Sequence, residues 1–168
     1  MRSHTVIDSA VGPLTLVAQD GAIVGLYMDL QRHRPDESQF GEPDRRGRQA
    51  EPFQTAADQL DAYFAGRRTT FTISLAPQGT AFQKQVWAAL QEIPYGETES
   101  YGQLAERIGS PGAARAVGLA NGKNPIGIVI PCHRVVGSNG NLTGYGGGLD
   151  RKKQLLDLER AVSGGALF

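Results

Sequence analysis

The hydrophobic pattern of this chain changes period once, and that change limits the folds open to it. In the first 75 residues the apolar residues come in short stretches at 6–7, 14–18 and 23–28. The turn signals Gly12-Pro13 and Asp20-Gly21 separate them, which predicts strands joined by hairpins. Phe53, Ala56, Ala57, Leu60, Tyr63 and Phe64 then recur at helical spacing and stop at Gly66. Phe71, Ile73 and Leu75 alternate with Thr72 and Ser74, as in a half-buried strand. Beyond Ala76-Pro77-Gln78-Gly79 the pattern is helical. Phe82, Val86, Trp87 and Leu90 mark one helix, and residues 101–108 a second with Ser100 as N-cap. Residues 113–121 form a third, rich in small side chains, and residues 150–160 a closing helix with Leu155, Leu156 and Leu158. The predicted class is α+β: a small N-terminal antiparallel sheet plus helix over 1–76, a linker at 77–80, and a mostly helical unit over 81–168. Residues 31–51, charged and without a periodic apolar face, read as a long exposed loop whose charges are solvated.

Within the helical part lies the run Ile130-Pro131-Cys132-His133-Arg134-Val135, which holds the only cysteine of the chain and one of its three histidines. A thiolate is a strong nucleophile, and a nearby imidazole is the usual means of ionising a thiol near neutral pH. The apolar residues 126–130 place the sulfur at the end of a buried segment. A buried structural cysteine is the bland alternative. One cysteine cannot form an internal disulfide, so stability cannot depend on an oxidising compartment. No apolar run reaches bilayer length, and the start Met1-Arg2-Ser3-His4-Thr5 does not open a signal peptide, so a cytoplasmic location is expected. The formal net charge is zero. Residues 1–79 carry −2 and residues 80–168 carry +2, which makes the second half the better candidate for a polyanion partner.

Two short helices joined by Gly109-Ser110-Pro111-Gly112 fit a helix-turn-helix outline. The second would present Ala113, Ala114 and Arg115 near its start, where recognition helices meet DNA. Helical hairpins also occur in many proteins with no DNA role.

Taken in order, several segments resemble the O6-alkylguanine-DNA alkyltransferases. They are Pro94-Tyr95-Gly96-Glu97-Thr98, Ser100-Tyr101-Gly102-Gln103-Leu104-Ala105, Arg115-Ala116-Val117-Gly118, Asn124-Pro125, residues 130–135 and Gly144-Tyr145-Gly146-Gly147-Gly148. The resemblance runs from about residue 82 to 159, and in the N-terminal half it is one of general character, chiefly Gly12-Pro13-Leu14 in the first hairpin. It implies an RNase H-like N-terminal unit and an active-site loop after the helix-turn-helix. It also implies direct repair in one turnover: the damaged guanine is flipped from duplex DNA and its O6-alkyl group moves irreversibly to a cysteine, with O4-alkylthymine a further substrate. Flipping is demanded because the target atom cannot be reached inside the base stack.

By the same resemblance Cys132 is the nucleophile, His133 its base through a water molecule, and Glu159 the group that orients His133. Asn124 braces the turn before the active-site loop. Arg115 fills the gap left by the flipped nucleotide, and Tyr101 crowds the phosphate and reaches guanine N3. The N–H of Gly146 donates to O6, the carbonyls of Cys132 and Val135 accept from the exocyclic amine, and Tyr145 walls the pocket. No cofactor is implied. Some members hold a zinc ion in the N-terminal half, but His4 and His33 alone cannot close such a site, so no metal is expected. The expected partner is double-stranded DNA carrying O6-alkylguanine, bound by a monomer, with cooperativity along DNA left open. Two other readings stand beside this one: a noncatalytic sensor of alkylated DNA, which the presence of Cys132 disfavours, and a thiol hydrolase, which would leave the helical hairpin unexplained.

Overall fold

The computed structural model describes residues 1–164; residues 165–168, the end of the expected C-terminal unit, lie outside the described residues. Strands β1 (Arg2–Ile7), β2 (Leu14–Gln19) and β3 (Ala22–Met28) form the antiparallel meander that the turn signals predict. A fourth short strand, β4 (Glu42–Pro43), adds to β1 in parallel, giving the order β3-β2-β1-β4. Helix α1 (Phe53–Phe64) lies on the face of Leu14, Leu16 and Leu26 and buries Phe53, Leu60 and Tyr63 there.

Two expectations need correction. Residues 71–75 do not form a strand, although their exposure alternates as predicted. The free edge of β3 is divided between two segments, so neither can build a ladder. Ile23 exchanges hydrogen bonds with Ser74 and Ala76, whereas Leu26 exchanges them with Pro125 and Gly127. The 31–51 segment is not simply a solvated loop either. It contains β4 and two 3-10 turns, Glu37–Phe40 and Gly47–Gln49. Phe40 folds onto the second face of the sheet with Val17, Val24 and Tyr27, and Ala50 enters the main core. A single aromatic anchor has no period, so pattern reading misses it.

From residue 81 on come α2 (Ala81–Leu90), β5 (Glu99–Ser100), α3 (Tyr101–Arg107), α4 (Ala114–Gly122), β6 (Val135–Val136) and α5 (Leu149–Ser163). Capping boxes start two of these helices: Thr80 with Gln83 for α2, and Ser100 with Gln103 for α3. Each satisfies orphan backbone donors and contributes about 1 kcal/mol. Gly109 and Gly112 both have positive φ in the turn that sends α4 back across α3. The buried Trp87 ties α2 to α4 by donating its indole N–H to the Ala120 carbonyl at 2.8 Å. Among the described residues no helix is long and apolar enough to cross a membrane.

Candidate active site

The two-residue strands β5 and β6 set up the site. They pair in parallel, Glu99 with Val135 and Ser100 with Val136. Tyr101 directly follows β5, and the 3-10 turn Cys132–Arg134 directly precedes β6. The pairing therefore joins the first helix of the hairpin to the cysteine turn.

The chain reaches Cys132 through a tight, buried turn at 124–130. Asn124 holds it from both sides: its Nδ2 donates to the Ile130 carbonyl at 2.7 Å and its Oδ1 accepts from the Ile126 N–H at 3.0 Å. Ile128, buried and β-branched, sits at φ 70°, a conformation that costs about 1–3 kcal/mol and persists only where its surroundings enforce it. Strain of this kind is concentrated at sites where geometry matters more than stability.

His133 and Glu159 are both fully buried, so Glu159 is no solvated helix end. His133 Nε2 lies 2.6 Å from Glu159 Oε2. Four further bonds reach the same carboxylate: Tyr63 Oη at 2.6 Å, Arg134 Nε at 2.8 Å, Arg134 Nη2 at 3.0 Å and the Gly96 N–H at 3.2 Å. Burial alone would raise the Glu159 pKa, but the bonds and charges of His133 and Arg134 outweigh it and hold it at about 2. An ionised Glu159 takes the Nε2 proton of His133 as its hydrogen-bond donor, leaving Nδ1 as the basic nitrogen. That Nδ1 is buried and has no hydrogen-bond partner within the protein. Burial lowers the His133 pKa more than Glu159 raises it, so the imidazole is neutral and able to accept a proton.

Cys132 is buried, and burial raises its pKa, with Asn124 and the charge of Lys152 pulling the other way. No direct hydrogen bond joins its sulfur to His133 among the described residues. Lys152, fully buried, donates to the carbonyls of Val135 at 2.6 Å and Thr143 at 2.7 Å. Burial lowers its pKa from 10.5 to about 8, opposed by Cys132. The resting site thus combines a neutral thiol, a neutral imidazole and one uncompensated cation beside the sulfur.

Near this network, through Tyr101 and the segment 143–146, lies a cleft of about 660 Å³ that Cys132, His133 and Glu159 do not themselves line. Tyr101, Ala114, Arg115, Tyr145 and Gly146 line it, five of the residues singled out in the sequence. Ala113 is instead the residue before α4, and Val135 is buried in β6 with its carbonyl already engaged by Lys152. The Cys132 carbonyl accepts from Asn121 Nδ2 at 3.4 Å, so neither proposed amine acceptor is wholly free. Tyr101 Oη donates to the Thr143 carbonyl at 3.1 Å. A Cβ on Gly147 would sit 2.5 Å from Met28 Sδ and 2.8 Å from Tyr145 Cε2, so a side chain there would force both to shift.

Tyr63, Arg134 and Lys152 were not singled out from the sequence as site residues. A buried lysine or arginine in an otherwise amphipathic segment is a usable signal, but burial is not visible in isolation. Among the described residues no group of three His, Cys, Asp or Glu side chains is clustered as a metal site.

Similarity to known proteins extends over nearly the whole chain. Residues 81–161 match the family description "6-O-methylguanine DNA methyltransferase, DNA binding domain", and residues 3–77 match its "ribonuclease-like domain". The chain is 54% identical to a methylated-DNA–protein-cysteine methyltransferase of Mycolicibacterium paratuberculosis, over 99% of this chain and 98% of that protein. It is 48% identical to the protein so named in Methanosarcina acetivorans, over 93% and 97%. The crystal structure of Mycobacterium tuberculosis OGT in complex with DNA superposes with a TM-score of 0.88 at 52% identity, covering 95% of this chain and 94% of that one.

Proposed function

The chain belongs to the 6-O-methylguanine DNA methyltransferase family, and on that premise we propose how its own residues carry the reaction. It performs direct-reversal DNA repair, moving the alkyl group from guanine O6 in DNA irreversibly onto a cysteine of its own, once per molecule. The observation that carries the assignment of residues is the buried His133–Glu159 pair, with an unpartnered His133 Nδ1, immediately after Cys132 and close to a cleft walled by Tyr101 and Tyr145.

The steps follow from the protonation states. With the flipped base in the cleft, the Cys132 thiol proton passes through one water to His133 Nδ1, and the imidazolium is stabilised by Glu159 at Nε2. The thiolate, close to the Lys152 ammonium, attacks the alkyl carbon; the S–C bond forms as the C–O6 bond breaks. The electron pair left on the guanine is met by a proton from Tyr101 at N3 and by the Gly146 N–H at O6, and the Tyr101 phenolate recovers its proton through water from the His133 imidazolium, so that the thiol proton ends on the guanine. To give that proton Tyr101 must let go of the Thr143 carbonyl, its present acceptor. Arg115, at the cleft mouth, occupies the gap in the stack.

The two-unit division at a 77–80 linker is part of the same proposal, supported by family matches that end at 77 and resume at 81. So is a cytoplasmic location, which suits a catalytic free thiol. The test is to mix the protein with duplex DNA containing O6-methylguanine and to measure intact mass and the modified peptide. One added methyl on Cys132, at one equivalent and no more, is the expected result. Tight binding without mass gain would instead mark a sensor, and repeated turnover would rule out the single-use mechanism.

A further inference from the structure

The cleft continues into a second groove of about 420 Å³, which runs between the sheet and the start of the helical unit. Arg32, His33, Gly122 and Lys123 line both, so the two form one path around the C-terminal end of α4. Along that path stand Arg115, Lys123, Arg32, His33 and Arg34, and not one Asp or Glu lines either cavity. In a chain of zero net charge with equal numbers of acidic and basic side chains, such segregation needs a reason. Arg32, Arg115 and Lys123 also have no carboxylate within salt-bridge distance among the described residues. Arg46, Arg48, Arg107, Arg134 and Arg151 do. Arg34 is partly committed, to Thr15 and more loosely to Glu37.

The position of Arg32 is fixed by the active-site loop itself. Its backbone N–H donates to the Gly146 carbonyl at 2.7 Å, and Gln31 Oε1 accepts from the Met28 N–H at 2.8 Å. The N-terminal segment is thereby held against the loop that walls the base pocket.

We propose that the groove lined by Arg32 and Lys123 binds the phosphodiester backbone of the DNA beside the flipped nucleotide, so that the N-terminal unit is part of the DNA-binding surface. This rests on the repair activity above. Two guanidinium or ammonium contacts to phosphate release two counterions, and each accounts for a slope of about 0.9 in log affinity against log salt.

The test measures affinity for a duplex carrying O6-methylguanine between 50 and 200 mM salt, for three proteins. The Arg32→Ala/Lys123→Ala variant is expected to lose about 1.8 from the slope, so that its affinity falls roughly 12-fold less than the wild type's over that range. The charge-keeping Arg32→Lys/Lys123→Arg variant is expected to keep the wild-type slope. An unchanged slope in the alanine variant overturns the proposal. So does an equal loss in the charge-keeping variant, which would mark a structural role. Wild-type methylation of Cys132 is followed in parallel: its absence would sink the repair reading, whereas an unchanged slope with normal methylation sinks only the groove.

Discussion

Replacing Glu159 by glutamine keeps the volume of the side chain and removes its charge. Five hydrogen bonds converge on this carboxylate, two of them from Arg134, whose guanidinium is itself buried. Removing one member of a buried ion pair costs about 3–5 kcal/mol, because the other charge stays desolvated. Glutamine can still accept from Tyr63 or Gly96, which puts the expectation near 3 kcal/mol. At roughly 2–4 °C per kcal/mol for a chain of this size, Tm should fall by about 6–12 °C. The pH dependence gives an independent reading. The folded-state pKa of Glu159 is lowered from 4.5 to about 2, so its stabilisation is complete above 4.5 and is lost as pH falls toward 2. His133, also lowered, adds a loss that begins as pH falls through 6.5, where the unfolded chain takes up a proton and the folded one does not. The variant should keep the His133 part of the acid limb and lack the Glu159 part. Methyl transfer should fall by about 10²–10⁴-fold, the upper figure being the cost of an equivalent carboxylate-to-amide change in a serine-protease triad. Thermal melts by circular dichroism from pH 7 to 3 and the rate of mass gain at Cys132 measure all three. A Tm within 2 °C of wild type, or an acid limb unchanged below pH 4.5, would refute the view that ionised Glu159 holds the network together.

Tyr101→Phe removes the proton proposed for guanine N3 and the bond to the Thr143 carbonyl while keeping the ring; single-turnover transfer should slow by about 10-fold or more, with affinity for methylated DNA unchanged. Equal slowing and weakening would mean that the hydroxyl serves binding alone. Lys152→Met should alter stability in a pH-dependent way. The folded pKa of Lys152 is lowered from 10.5 to about 8, so the unfolded chain binds more protons between those values and wild-type stability should rise, relative to the variant, as pH climbs from 8 to 10.5. Parallel urea titrations at pH 7.5 and 10 measure it, and a constant difference would show that Lys152 does not titrate in that window.

Much of this site was legible because its residues are rare types close together in sequence. The cysteine, its histidine and the small-residue start of α4 need no tertiary information to be noticed. What placed them was not legible. The β5–β6 pairing is two residues long on each side, too short for any period, yet it brings Tyr101 beside Cys132. Nothing in the sequence marks Arg134 as buried, yet it packs against Glu159, 25 residues away. The strand expected at 71–75 failed for a related reason: alternation reports half-burial, and half-burial does not supply a partner edge. Helix starts fared best, since the capping box at Ser100 is a local chemical fact.

The N-terminal unit is therefore more than a companion to the catalytic one. Tyr63 comes from α1, and its hydroxyl reaches Glu159 at 2.6 Å, as short as the His133 contact. Burial, reinforced by the charge of Glu159 and the hydrogen bond to it, pushes the Tyr63 pKa far upward, so the hydroxyl stays protonated and a donor near neutral pH. Leu26 of β3 pins the turn that Asn124 braces, and Arg151 of α5 pairs with Asp29 just beyond β3. Each of these contacts joins a residue before 77 to one after 80, and the first two end on the carboxylate beside His133 and on the turn that leads to Cys132. A helical unit cut free at residue 80 would lose a donor to the one carboxylate that orients His133. It would also release the strained turn at Ile128 from the strand that holds it. The hydrogen bonds around Glu159 and the turn before Cys132 are built by both halves of the chain, and their geometry depends on both.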